Sequence, residues 1–118
     1  MLTLKLSPQS ATELAAHVVP EFQSLTLLIN SETTDIAVDD RARLEFQCPD
    51  VGGKPLFLEV SVVFRFEAGE LKNWLAVAVL PSQQALIHHL RYLCRHHTNE
   101  YGKLFHQLVN DFCHSNQR

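Results

Sequence analysis

A long stretch of alternating side chains, PLFLEVSVVFRF at residues 55–66, limits the folds open to this chain more than any other feature. Apolar residues occupy every second position, which is typical of a β-strand with one buried face. The apolar row comprises Leu56, Leu58, Val60, Val62, Phe64 and Phe66. We therefore predict that this row, including Phe64, faces one hydrophobic core.

Shorter apolar segments on both sides of this stretch predict a sheet of about five to six strands. Strand patterns occur at residues 2–6, 25–30, 36–38, 42–48 and 73–80. In the fourth of these, Leu44, Phe46 and Cys48 are expected to face inward. The last, NWLAVAVL, is apolar on both faces, which predicts a helix packed over its second face. EAGE at 67–70 fits a hairpin loop between the last two strands.

Three helices complete the predicted fold. Ser7 and Pro8 are residue types that favour an N-cap and a first helical position. The helix that they begin is expected to end or kink near Val19, because Pro20 cannot continue it without losing a hydrogen bond. Two further helices are predicted at the C-terminus, one opening at Pro81 and Ser82 and the other at residues 98–100.

The order of these elements predicts the fold class. Consecutive strands joined by short turns favour antiparallel pairing. We therefore predict an α+β fold, with an antiparallel curved sheet or partial barrel, one N-terminal helix and two C-terminal helices. At 118 residues the chain has the size of a single domain, spanning 1–118.

The amino-acid composition limits the kinds of chemistry and the cellular location that can be expected for this chain. A hydrophobic fraction of 46% is enough for a core without disulfides or metal. Three cysteines, at 48, 94 and 113, show no framework spacing, and the N-terminus lacks the pattern of a secretory signal. These features predict free, mostly buried thiols and a cytoplasmic location. No apolar run approaches the length of a membrane span, and no phosphate-binding glycine motif occurs, so we predict no cofactor and no enzymatic activity.

Charge is distributed unevenly along the chain. Residues 1–81 carry six Lys or Arg against eleven Asp or Glu, a net charge of −5. Residues 82–118 carry four against two, a net charge of +2, together with six of the seven histidines. Protonation of these histidines would raise the charge to +8, so the field of this region depends on pH. Four cations in an acidic protein do not favour a nucleic-acid partner.

The segment LIHHLRYLCRHHTNEY at 86–101 raises the question of a metal site. None of its histidines stand three or four residues apart, the spacing at which side chains on one helix chelate an ion. Cys94 and His97 have ligand-like spacing, and the same pair could be a nucleophile and its base. A zinc site would need further ligands, such as Cys113 or His114. Cys94 lies on the apolar side of the helix with Leu86, Leu90 and Leu93, so we predict that these four residues are largely buried and that the segment binds no structural metal.

We interpret the other side of this helix as a solvent-exposed, cationic interaction face. It comprises His88, His89, Arg91, Arg95 and His96. We expect the helix to end at about His97, with a break near Thr98. If the face has a role, it is to meet an acidic partner, more strongly as the pH falls towards about 6.

The middle of the chain resembles the later strands of PilZ domains. IAVDDRARLEFQCPD (36–50), LFLEVSVVFRF (56–66) and WLAVAVLP (74–81) follow the order of an acidic turn, a strand, a long strand and an apolar strand before a helix. The resemblance covers about half of the chain, and the N-terminal helix departs from the family pattern. The family's RxxxR spacing occurs only at Arg91 and Arg95, in the late helix, and the [DN]xSxxG motif is missing. The resemblance therefore implies a PilZ-like module that does not bind cyclic di-GMP and acts through protein contacts.

These observations favour a non-enzymatic cytoplasmic adaptor or regulatory domain that acts through protein–protein contacts. Its expected partner is an unidentified protein, and a homodimer is a further expectation. Two alternatives remain open. The first is a small secretion-type chaperone dimer that holds a partner peptide, although the strong acidity usual in that class is muted here. The second is a module that binds a small molecule or a metal in a pocket between the sheet and the helices.

Overall fold

A computed structural model describes residues 2–20, 24–31, 36–52, 54–66, 74–97 and 99–116, with side chains described as far as residue 110. These residues form five strands and three α-helices. In chain order they are β1 (Thr3–Leu6), α1 (Ala11–His17), β2 (Thr26–Asn30), β3 (Arg41–Phe46), β4 (Leu56–Phe66), β5 (Trp74–Val79), α2 (Gln84–Arg95) and α3 (Lys103–Asn116). The predicted α+β class is confirmed. In this part of the chain no helix is long and apolar enough to cross a lipid bilayer.

The five strands form one curled sheet in the order β1-β3-β4-β5-β2. Three of the four strand pairs are antiparallel, but β1 and β3 pair in parallel, so the prediction of an antiparallel sheet is wrong. Parallel neighbours need a long crossover connection. The chain between β1 and β3 provides one, because it contains α1 and also β2, which lies at the opposite edge beside β5.

Helix α1 begins later than predicted, so the assignment of Ser7 as its N-cap and Pro8 as its first residue is wrong. Ser10 is the N-cap, and its Oγ accepts a hydrogen bond of 3.3 Å from the backbone N–H of Glu13. The Glu13 carboxylate in turn accepts a 2.8 Å bond from the N–H of Gln9. This reciprocal pair satisfies two backbone donors at the start of the helix, which explains why it begins after Ser10.

The end of α1 is close to the predicted position, two residues before Val19. Val18 and Val19 leave the helix because they meet the edge of the sheet. Val18 forms a β-bridge with Leu27, and the N–H of Val19 donates a 2.8 Å bond to the carbonyl of Thr26. This extended segment covers part of the outer edge of β2.

The prediction of a weak strand at residues 36–38 is wrong. These residues lead into a tight turn, in which Asp39 adopts a φ of 75°. The Asp40 carboxylate accepts a 2.9 Å bond from the N–H of Ala37, and the N–H of Asp39 donates to the carbonyl of Val62 at 2.8 Å. Side-chain and backbone bonds of this kind compete with a strand ladder. The predicted hairpin loop at 67–70 lies outside the described residues.

Strand β4 contains a β-bulge at Val63, which overturns the prediction for Phe64. Val62 pairs with Val77, but Phe64 pairs with Ala76, so β4 has one residue more than β5 at this point. An extra residue moves every later side chain to the opposite face of a strand. Leu58, Val60 and Val62 therefore face one core, whereas Phe64 and Phe66 point to the other side of the sheet.

Two hydrophobic cores result, one on each side of the sheet. The larger lies on one side, under α1 and α2, and its side chains include Leu14, Leu44, Phe46, Leu58, Val60, Val62, Ile87 and Leu90. The smaller lies under α3 and contains Val19, Leu28, Phe66, Ala76 and Leu108. The prediction that a helix covers the second face of β5 is confirmed, because Leu108 of α3 packs there against Ala76.

Candidate interaction site

Helix α2 presents one apolar side to the larger core. Ile87, Leu90 and Cys94 are buried, while Leu86 and Leu93 are half-buried at the margins of the contact. This is the side that the spacing of apolar residues predicts. The helix ends at Arg95, with His96 as C-cap, two residues before the predicted end and within the usual uncertainty of helix boundaries.

The five polar residues predicted as one interaction face lie in two separate rows. His88, Arg91 and Arg95, at positions i, i+3 and i+7, follow the flank of α2 that faces β2 and β5, and we call them the basic stripe. His89 and His96 lie farther round the helix, where the ring of His96 is 4.9 Å from that of Tyr92. All three predicted histidines, at 88, 89 and 96, are exposed, as expected.

The basic stripe forms one wall of a cavity of about 300 Å³, which we call the α2 cavity. Its other walls come from the residues just before β2, from the end of β5 with the turn that follows it, and from the first turn of α2. They are formed by Ser24, Leu25, Val79, Pro81, Gln84 and Ile87. At Pro81, which lines the cavity, the chain enters a single 3-10 turn, Pro81–Gln83, before α2 begins.

The chemistry of the α2 cavity is cationic on one wall and apolar on the other. Arginine stays charged at all physiological pH values, and its planar guanidinium binds carboxylate or phosphate groups through paired hydrogen bonds. None of the described residues that line the cavity is acidic. Leu25 and Val79 belong to the larger core and show only their edges to the cavity, while Pro81 is exposed. The site therefore fits an anionic group that stands next to a small apolar one.

A second depression, on the face of the sheet opposite the larger core, has a different character. It is lined by Arg43, Phe57 and Glu59 together with the start of the turn before α2. The Arg43 guanidinium lies 5.8 Å from the centre of the Phe57 ring, a distance at which a cation and an aromatic face attract each other. Since this depression carries charges of both signs and its arginine already has a partner, it favours no class of ligand.

Cys94 and His97, the predicted candidates for a metal pair, have separate surroundings. The Cys94 thiol lies in the larger core, where burial and the nearby Cys48 raise its pKa to about 11. The Nδ1 atom of His97 lies 3.1 Å from the hydroxyl of Thr12 on α1. A thiol that keeps its proton is a poor nucleophile and a poor metal ligand.

Among the described residues, no three or more His, Cys, Asp or Glu side chains are grouped as metal ligands. The side chains of Cys113 and His114, the further ligands considered from the sequence, lie outside the described part of the structure. The absence of a structural metal therefore stays a prediction, which elemental analysis of protein purified without chelator tests.

Burial of Cys94 gives a testable pH dependence. Because its pKa is raised to about 11, the unfolded chain releases the thiol proton at a lower pH than the folded chain. The free energy of unfolding should therefore fall between about pH 8.5 and about pH 11, by up to about 1.4 kcal/mol per pH unit from this group. Urea unfolding of the native protein and of Cys94→Ala, each near pH 8 and near pH 10, measures the difference. The native protein should lose more stability than Cys94→Ala, and equal losses would contradict a buried neutral thiol.

Neither comparison with known proteins adds a relative. No family model matches the chain, and no curated protein matches its sequence significantly. The resemblance to PilZ domains therefore stays a prediction from the sequence. A proposal of function depends on the geometry of the α2 cavity.

Proposed function

We propose that the protein is a non-enzymatic adaptor or regulatory domain, which binds an acidic segment of a partner protein in the α2 cavity. The observation that carries this proposal is the basic stripe, His88, Arg91 and Arg95, which faces an apolar wall across about 300 Å³. Helix α2 has its other side fixed in the core, so the stripe is held in place before a partner arrives. A preorganised site reduces the entropy cost of binding.

The expected strength of binding depends on how far the apolar residues that line the α2 cavity are already buried in the free protein. Leu25, Val79 and Ile87 are already buried in the free protein, so a ligand gains little further burial of apolar surface from them. The main contribution is then electrostatic, between a carboxylate and the arginines. Exposed charge pairs contribute about 1 kcal/mol or less each and weaken with salt. We therefore expect weak, salt-sensitive binding that suits a regulatory contact.

The structure supports the two alternative functions, a chaperone and a small-molecule module, less well than it supports an adaptor. A chaperone needs a contiguous exposed apolar surface for its partner. Among the described residues, the exposed large apolar side chains are distributed over several elements and include Phe57 and Phe64 on β4, Tyr92 on α2 and Val109 on α3. In the α2 cavity a small molecule would have about 300 Å³, the lower limit of the usual size range of about 300–1,000 Å³.

The test is fluorescence anisotropy with a labelled peptide in which valine alternates with glutamate. We expect saturable binding at low ionic strength that weakens as salt is added. Arg95→Glu should weaken it by at least about tenfold, equal to about 1.4 kcal/mol. Arg41→Glu makes the same charge change at an exposed position on β3 outside the cavity, and should leave binding within about twofold of the native protein.

Two further ligands test whether binding in the α2 cavity is specific for an acidic peptide. A peptide with lysine in place of glutamate should not bind, because the basic stripe repels it. Cyclic di-GMP should not bind tightly either, since Arg91 and Arg95 lie in α2 rather than in the segment that carries the PilZ arginine motif. Equal affinity for the two peptides, or equal losses for Arg95→Glu and Arg41→Glu, would refute the proposed site. Micromolar or tighter binding of cyclic di-GMP would contradict the prediction from the missing motif.

A further inference from the structure

We propose that the acidic segment which enters the α2 cavity belongs to a second copy of this chain, and that it is the turn at residues 38–40, which we call the acidic turn. This inference rests on the proposed function and names its partner. It follows from two surfaces of one molecule whose chemistry is complementary, and each is visible in the structure.

The acidic turn exposes one small apolar side chain beside two carboxylates. Val38 is 49% exposed, although valine usually packs inside, and both Asp39 and Asp40 are exposed. Nearly half of the Val38 side chain is therefore open to water at the tip of the turn. This combination of a branched apolar group and adjacent anions matches the apolar wall and basic stripe of the α2 cavity.

The backbone holds the acidic turn in one shape. The N–H of Asp39 and the carbonyl of Asp40 bond to the two backbone groups of Val62, at 2.8 and 2.9 Å. Within the turn, the N–H of Asp40 donates to the carbonyl of Ala37 at 3.0 Å, and the Asp40 carboxylate accepts from the N–H of Ala37. A ligand segment that is already ordered loses little entropy when it binds.

The acidic turn cannot reach the cavity of its own molecule. It is bonded to Val62 of β4 on the side of β3, whereas the nearest strand that lines the α2 cavity is β5, through Val79, on the other side of β4. At about 4.8 Å per strand, the two strand spacings from β3 to β5 amount to about 10 Å, and the backbone bonds to Val62 hold the turn in place. The contact must therefore join two molecules.

The two surfaces also differ from each other, so the contact is heterologous rather than self-matching. Contacts of this kind extend from molecule to molecule unless a ring closes. Association is therefore expected to grow with protein concentration instead of stopping at a fixed dimer. Because the contact is mainly electrostatic, it should also weaken as salt is added.

Sedimentation velocity over a range of protein concentrations tests the proposal. At low ionic strength the weight-average mass should rise with concentration, and it should return towards the monomer at high salt. Asp39→Arg and Arg95→Glu should each weaken the association constant by at least about tenfold. Glu59→Arg makes the same change of charge as Asp39→Arg at an exposed position on β4, and should leave association unchanged.

A mixture of two variants gives the sharpest result. Asp39→Asn keeps its α2 cavity, and Arg95→Glu keeps its acidic turn, so one productive contact can form between them. Asp39→Arg is not used in this mixture, because its new positive charge would attract the new carboxylate of Arg95→Glu and restore the second contact. The mixture should give a one-to-one complex that does not grow further, although each variant alone stays monomeric. Asp39→Asn is a second variant of the turn, because asparagine tolerates the positive φ of 75° and removes only the charge. Circular dichroism melts establish that every variant is folded.

The outcomes separate this inference from the proposed function. A chain that binds the valine–glutamate peptide but stays monomeric at every concentration would overturn the inference and leave the proposed function standing. Association that persists in Asp39→Arg and Asp39→Asn would also overturn it. Failure of both peptide binding and self-association would remove the proposed function as well.

Discussion

Phe66→Ala is expected to lower the free energy of unfolding by about 3–5 kcal/mol, whereas Phe64→Ala should cost only about 1 kcal/mol. The two rings are neighbours, with centres 5.0 Å apart, and they lie on the same face of β4. They differ in burial, because Phe66 is 7% exposed under α3 while Phe64 is 51% exposed. Removing a buried ring leaves a cavity, whereas removing a half-exposed ring loses only part of the transfer free energy.

Urea unfolding of both variants measures this difference, with the native protein as reference. The pair is a matched control, since the substitution and the strand are the same. An unbroken strand without the bulge at Val63 would place both rings in the larger core, and the losses would then be similar and large. A loss for Phe64→Ala that equals or exceeds the loss for Phe66→Ala would therefore contradict the register of β4.

Gly102→Ala is expected to destabilise the protein by about 2–5 kcal/mol. Gly102 is buried at the entry to α3 with a φ of 71°, a conformation that costs other residues about 1–2 kcal/mol. A Cβ atom there would lie 2.9 Å from Cγ and 3.0 Å from Cδ of Pro20, so the proline ring would have to move. Moving it strains the contact in which the N–H of Gly102 donates a 3.0 Å bond to the carbonyl of Ala15. Overpacking of this kind typically adds about 1–3 kcal/mol.

Gly52→Ala is the control for the backbone effect alone. Gly52 also has a positive φ, of 90°, but no atom lies within 4 Å of the position that its Cβ would take. This variant should therefore cost about 1–2 kcal/mol, and the excess loss in Gly102→Ala measures the contact with Pro20. Thermal or urea unfolding of the two variants gives both values. Equal losses would mean that α3 does not pack against the end of α1 as the structure shows.

Local periodicity alone was sufficient to predict which side chains several elements bury. Leu44, Phe46 and Cys48 were expected to face inward from their spacing, and all three are buried. The buried positions of α2, which include Leu90 and Cys94, follow in the same way from a helical repeat. The reason is that side-chain direction within one regular element depends only on the backbone of that element.

The same reasoning failed where an element is interrupted or where it pairs over a long distance. A single extra residue at Val63 moved Phe64 and Phe66 away from the larger core, and the alternation of apolar residues contains no sign of it. The parallel pairing of β1 with β3 depends on where the crossover places β2, which local patterns do not specify. A bulge and a crossover are stabilised by partners that are distant in sequence.

For the candidate site as well, local spacing predicted one part and long-range packing determined the other. The spacing of residues was enough to predict that one side of α2 is cationic and exposed, because a separation of seven residues in a helix places His88 and Arg95 on one flank. The packing of α2 against the sheet was needed to show that this flank borders a cavity and that the row of His89 and His96 does not. The opposite wall comes from Leu25, just before β2, and Val79, at the end of β5, whose N–H donates a 2.9 Å bond to the carbonyl of Leu25. Residues so far apart in the chain meet only when the whole core has formed.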